Sequence, residues 1–271
     1  VLYGHLDKHP EMTGWAPGFG PWVPVLKDDK LYGRGAANGG YAVFAALAAI
    51  CALQDQGVKH ARCMVLIECC EESGSYALPP YLKHLSDRLG NPDLIICLDS
   101  GAGNYDQLWL TTSLRGLVSG TLDIQVLREA VHSGGASGVM ASSLRIARML
   151  LDRIEDATTG EIRPGTLHGE IPSHRVAQAK IAAAVLGSTI GHGLPYVDGM
   201  ESVSEDLVEL LLNRTWRPAL TITGIDGVPS TSDAGNVVGP GTSLKLSMRT
   251  PPLVDAQAAY SELKTLLEVD P

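Results

Sequence analysis

The sequence predicts an α/β domain, built on a parallel-rich sheet with helices on both faces, followed by a separate α+β domain. Three observations predict it. Over residues 1–110 short apolar runs alternate with helical patterns, the rhythm of βαβ units. Polar residues able to do chemistry stand where those runs end, as they do beyond the carboxyl ends of strands in such sheets. From about Ser113 strands and helices follow one another without strict alternation. A chain of 271 residues exceeds the usual single-domain size, so the division is placed at 1–112 and 113–271.

The elements follow in order. A strand ends at Gly4, a helix fills 41–56, an apolar run at 63–69 is the next strand, a helix covers 77–88, and 93–98 is the third strand. Beyond Ser113, residues 116–126 alternate as a long strand, 137–155 read as a helix, and a stretch rich in Gly, His and Pro spans 158–173. Further helices precede strands at 219–223 and 244–249 and a last helix at 254–267.

With 45% hydrophobic and 19% charged residues, the chain has material for a substantial core. A net charge of -9 without a basic cluster argues against nucleic acid as a partner. No apolar run reaches the ~18 residues of a membrane span. Five cysteines (Cys51, Cys63, Cys69, Cys70 and Cys97), an odd number on segments that read as buried, point to reduced thiols and a cytoplasmic location. The chain starts as if in mid-strand and stops abruptly after a helical pattern, so truncation at both ends is expected.

His5 and Asp7 lie two residues apart, on one side of an extended chain, where the carboxylate can orient the imidazole for a metal. The same pair fits a surface His beside a turn Asp. Glu71 and Glu72 follow an apolar strand, where one can bind a cation and the other face a bound water; alternatively they are acidic residues at a helix start. Asp99 is either a further ligand or a turn former before Ser100 and Gly101. Placed at successive strand ends, the three sites can converge on one cation.

Taken with YGHLDKHP (3–10), GW (14–15), LYGRGAANGG (31–40), EESGS (71–75), LDSG (98–101), LRG (114–116), VHSG (131–134), RP (217–218) and SMRTPP (247–252), the chain resembles the co-catalytic di-zinc metallopeptidases and aminohydrolases. That family includes carnosinase-like dipeptidases, glutamate carboxypeptidase, aminoacylase and succinyl-diaminopimelate desuccinylase, and the carnosinase-like branch is most similar. The resemblance implies a zinc-peptidase-like catalytic domain with an inserted ferredoxin-like lid that also dimerises, giving a homodimer. It implies two zinc ions per active site, with cobalt or manganese as alternatives. His5 and Asp99 match ligands of one zinc, Glu72 a ligand of the other, Glu71 the general base and Asp7 the carboxylate behind His5. His132 matches the donor to the tetrahedral oxyanion. Asn236, and Arg249 thirteen residues later, match the pair that holds the substrate carboxylate, as a guanidinium fork suits.

The activity so implied is cleavage of a peptide or N-acyl amide bond next to a free carboxylate, by metal-activated water, on a small peptide or N-acyl amino acid. Two features depart from the pattern. Asn38 stands where the family writes the bridging Asp, and the family's last His ligand lies beyond this sequence. An amide is a neutral and poorer ligand. These departures also fit a second reading, an impaired homologue that binds or dimerises without turnover.

Overall fold

The structure, a computed structural model, describes residues 1–270. The chain divides into two compact units, Val1–Ala102 and a second that begins at Gly103. A side chain added at Gly103 would strike Trp109 and Leu186, so close packing ties this residue to the second unit.

The first unit carries the expected parallel sheet. It runs β1 (Leu2–His5), β2 (Val25–Lys27), β3 (Lys30–Tyr32), α1 (Ala42–Asp55), β4 (Val65–Glu68), α2 (Leu78–His84), α3 (Ser86–Leu89) and β5 (Ile96–Cys97). Strand order is β4-β1-β5, and both pairings are parallel. In register, Leu2 lies opposite Val65 and His5 opposite Glu68, while Tyr3 lies opposite Cys97. Helix α1 packs on β1 and β4. Its closest approach is at Gly4, where an added Cβ would stand 2.3 Å from the Ala42 Cβ, so only glycine lets the helix sit this near the strand.

Three expectations for this unit change. The helix foreseen over 77–88 is two pieces, α2 and α3, that meet at Leu85. The β2–β3 hairpin was not foreseen; its turn residues Asp28 and Asp29 both adopt positive φ (50° and 56°), which short polar side chains tolerate. All five cysteines are free, but Cys51, Cys63, Cys69 and Cys97 are exposed rather than buried.

The second unit contains β6 (Gly116–Gln125), β7 (Val131–His132), α4 (Ser133–Ala136), α5 (Ser143–Leu151), α6 (Ser173–Leu186), α7 (Thr189–His192), α8 (Leu207–Thr215), β8 (Ala219–Asp226), β9 (Val237–Val238), β10 (Gly241–Thr250) and α9 (Ala256–Glu268). An antiparallel sheet of order β6-β10-β8 forms its frame. Along β10 the period-two pattern is plain: Thr242, Leu244, Leu246, Met248 and Thr250 are buried, while Lys245 and Arg249 face out. The buried row packs with Ala147 and Leu150 of α5 and with Ala259 and Leu263 of α9. A separate core joins α6, α7 and α8 through Ala183, Ile190, Leu211 and Trp216. Helix α5 begins later than the 137 foreseen, because Gly138 turns at φ 83° and Ser142 caps the helix by accepting from the Arg145 N–H. Asp255 caps α9 in the same way through the Ala258 N–H.

The contact at Gly4 makes a measurable prediction. Gly4→Ala overpacks the α1–β1 interface and should destabilise the first unit by about 1–3 kcal/mol in urea unfolding. Phe44→Ala on the same helix, at a side chain 70% exposed, should change stability by about 0.5 kcal/mol or less.

Candidate metal centre

Parallel pairing sends the ends of β1, β4 and β5 to one edge of the first sheet. His5 is the last residue of β1, Glu71 and Glu72 open a tight turn just after β4, and Asp99 follows Leu98, whose N–H donates to the Tyr3 carbonyl. His5 is wholly buried. Gly39, at φ 73°, lies flat against its ring: an added Cβ would come 2.5–2.9 Å from three ring atoms.

The two ring nitrogens of His5 face different partners. Nδ1 is 3.2 Å from the backbone carbonyl of Asp7 and 3.3 Å from its carboxylate, so the proton of the neutral ring belongs on Nδ1. The carbonyl is the better-aligned acceptor, and Asp7 Oδ1 has no hydrogen bond. Nε2 is then a lone pair. It lies 3.5 Å from Asp99 Oδ1 and 3.8 Å from Glu71 Oε2, and it too is buried without a hydrogen-bond partner. Ligand atoms of His5, Glu71 and Asp99 all stand within 4.8 Å of one another. Two ligands about 2 Å from a shared tetrahedral ion are about 3.3 Å apart, so an imidazole and two carboxylates spaced in this way fit one divalent cation.

The charges respond to this crowding. Burial opposes protonation of His5, but the carboxylates of Asp99, Glu71 and Asp7 outweigh it and hold its pKa above the ordinary 6.5. Burial first, then the neighbouring carboxylates of Asp99, Glu72 and Asp7, push Glu71 up against the pull of His5. Burial would raise Asp7 as well, yet the backbone N–H groups of Glu72 and Glu71 bring it below its usual value. The Glu72 N–H donates to Asp7 Oδ2 at 2.9 Å, which ties the turn after β4 to the residue behind His5.

Glu72 does not point its oxygens at the same gap. Oε1 accepts from the Asn38 amide at 2.8 Å, and Oε2 lies 2.8 Å from His9 Nε2. His9 belongs to the YGHLDKHP motif, but the sequence reading did not single it out. Glu68 was missed as well. Buried at the end of β4, it accepts from the Tyr3 hydroxyl, from Ser75 Oγ (2.9 Å) and from Cys70 Sγ (3.2 Å). Burial and the Glu68 carboxylate raise the Tyr3 pKa. The available signal was a carboxylate ending the apolar run VLIE, three residues before Glu71.

In the second unit, β7 pairs with β9, so His132 lies opposite Val237, and the Ser133 N–H donates to the Asn236 carbonyl at 2.9 Å. His132 and Asn236 are therefore neighbours. His132 Nδ1 accepts from the Gly134 N–H at 3.1 Å, which leaves Nε2–H as the free donor of the neutral ring. Arg249 stands at the far end of β10, opposite Leu117 and Ala219. The strand rise from Gly241 to Arg249 is about 27 Å, so the structure does not bring Arg249 beside Asn236 along this path.

Comparison with known proteins agrees with this geometry. A family model described as peptidase family M20/M25/M40 matches residues 1–265. The chain is 28% identical over 285 residues to human Beta-Ala-His dipeptidase, covering 98% of this chain and 53% of that protein. It is 28% identical over 255 residues to Cysteinylglycine-S-conjugate dipeptidase of Corynebacterium striatum, covering 93% and 53%. Among solved structures, the di-peptidase Dug1p from Saccharomyces cerevisiae aligns with a TM-score of 0.75 at 23% identity, over 98% of this chain and 56% of that one; at this identity the likeness concerns the fold alone. The chain spans about half the length of the curated relatives it matches. Because the family model runs through nearly the whole sequence and the motif residues meet at one strand edge, this chain belongs to peptidase family M20/M25/M40.

Proposed function

We propose that this chain is part of a metal-dependent hydrolase that cleaves the peptide or N-acyl amide bond of a small substrate bearing a free carboxylate beside that bond. One observation carries the reading: the buried, unpartnered Nε2 of His5 facing Asp99 and Glu71. Two relatives named as dipeptidases support the substrate class, since any dipeptide has a free carboxylate next to its one peptide bond.

Zinc is the cation we assign to His5 and Asp99, by its preference for mixed nitrogen and oxygen ligands, with cobalt or manganese as substitutes. When bound there, the metal would polarise the scissile carbonyl and lower the pKa of a water. The other roles fall to side chains. Glu71, its pKa raised and its carboxylate free of hydrogen bonds among the described residues, takes a proton from the attacking water and passes it to the leaving amine. Asp7 keeps Nδ1 of His5 protonated and Nε2 free. His132 offers Nε2–H to the oxyanion. Arg249 and Asn236, drawn from two copies of the chain that associate through the second unit, bind the substrate carboxylate. A cytoplasmic setting suits the free thiols.

Three outcomes test this reading. Glu71→Gln, which keeps the shape and removes the proton acceptor, should lower kcat for dipeptide hydrolysis by about 10²-fold or more. Because the carboxylates of Asp99, Glu71 and Asp7 hold the His5 pKa above the ordinary 6.5, a cation competes with a proton there: apparent Zn²⁺ affinity should rise with pH until His5 has titrated, and binding below that pH should release a proton. Calorimetry in buffers of different ionisation enthalpy reads that proton, and His5→Gln should abolish the release. Finally, Arg249→Lys should reduce kcat/KM by about 2 kcal/mol on free-carboxylate substrates and far less on their amides, since only the bidentate fork is lost.

A further inference from the structure

We infer that this chain binds a single divalent cation, because His9 and Asn38 have taken Glu72 out of the metal site. The inference deepens the function proposed above and rests on its metal centre. Five carboxylates crowd the strand edge, and their partners decide which of them can serve a cation. Asp7 is held by the Glu72 N–H, and Glu68 by Tyr3, Ser75 and Cys70. Each Glu72 oxygen has a close neighbour, the Asn38 amide donating to Oε1 and the His9 ring nitrogen standing beside Oε2, each at 2.8 Å, and the side chain is only 13% exposed. Glu71 and Asp99 remain, with no hydrogen bond to either carboxylate among the described residues, and they flank the unpartnered lone pair of His5. The His5 nitrogen and the Asp99 carboxylate would hold one divalent ion, with Glu71 left beside it to face the ion's water in the role given above.

The position of Asn38 strengthens this. Its Nδ2 donates to Glu72, so the amide acts here as a donor, and a donor cannot ligate a cation through the same atom. A second ion at Glu72 would meet the Asn38 amide beside one oxygen and the His9 ring beside the other, with no second carboxylate at position 38 to share it. Among the His, Cys, Asp and Glu side chains of the described residues, His5, Glu71 and Asp99 form the one group of three close enough to share an ion.

The test is a titration of the chelator-stripped chain with Zn²⁺ by calorimetry, with metal content after dialysis measured by elemental analysis. Co²⁺ serves as a second probe, because its visible absorption reports each ligated ion. One equivalent per chain is expected, with Co²⁺ bands that stop growing at one. Glu72→Gln should leave that stoichiometry intact and the Kd within about threefold. The double variant Asn38→Asp, His9→Ala frees Glu72 and supplies a second carboxylate, so it should gain a second, weaker equivalent. Two equivalents in the unaltered chain, or a tenfold loss of affinity in Glu72→Gln, would overturn the inference and leave the proposed hydrolase standing. No second equivalent in the double variant would overturn the role given to His9 and Asn38. No binding at all would sink both the inference and the metal centre beneath it, and circular dichroism of each variant separates such a loss from unfolding.

Discussion

Everything at the metal centre depends on the parallel register of β1 with β4 and β5. Because His5 lies opposite Glu68, and Leu98 donates to Tyr3, the chain leaves all three strands at one edge within a few residues. A slip of one residue would turn His5 to the other face of the sheet and part it from Asp99. The register is secured on the apolar side by α1, which can approach only because residue 4 is glycine. One missing methyl group thus sets how closely α1 packs on β1. Burial leaves Nε2 without water, and an unmade hydrogen bond there costs about 1–3 kcal/mol, which a cation would remove.

Much of this was legible in the sequence, and the reason is periodicity. The strands at β1, β4, β6 and β10 and the helices α1 and α9 follow apolar patterns long enough to read, and they lie close to the ranges foreseen. His5, Glu71 and Asp99 were legible because each ends such a run. What was not legible depended on partners distant in sequence or on backbone geometry. His9 pairs with Glu72 across 63 positions that no local pattern links. The β2–β3 hairpin turns on two aspartates at positive φ where a glycine would have been the usual signal. The cysteines were misread because a small apolar residue in a helix or strand can lie on either face, and Cys51 and Cys97 lie on the exposed one.

The second unit shows the same limit for substrate recognition. Asn236 and Arg249 were paired by the family resemblance, thirteen residues apart in sequence. The strand between them is extended, however, and β10 carries Arg249 to the opposite end of the sheet from the β7–β9 pair. His132 is the residue that joins Asn236, through the Val237 pairing and the Ser133 N–H. Any single carboxylate touched by both Asn236 and Arg249 would therefore need the two residues from different copies of the chain, or a rearrangement of β10 that its paired strands resist.

Glu68 explains why the turn bearing Glu71 and Glu72 can be rigid without a metal. A buried carboxylate without a cationic partner is costly, and the cost falls only if donors fill its lone pairs. Here three neutral donors do so, and two of them, Cys70 and Ser75, flank the turn on either side. Ser75 sits at φ 53° and Gly74 at φ 99°, conformations a loose loop would abandon. Glu68 fastens both ends of the turn to β4, and Asp7 fastens its middle through the Glu72 N–H. The two acids are thus aimed by other acids. That arrangement fixes Glu71 toward His5 before any cation arrives, so binding spends little of its free energy on ordering the site.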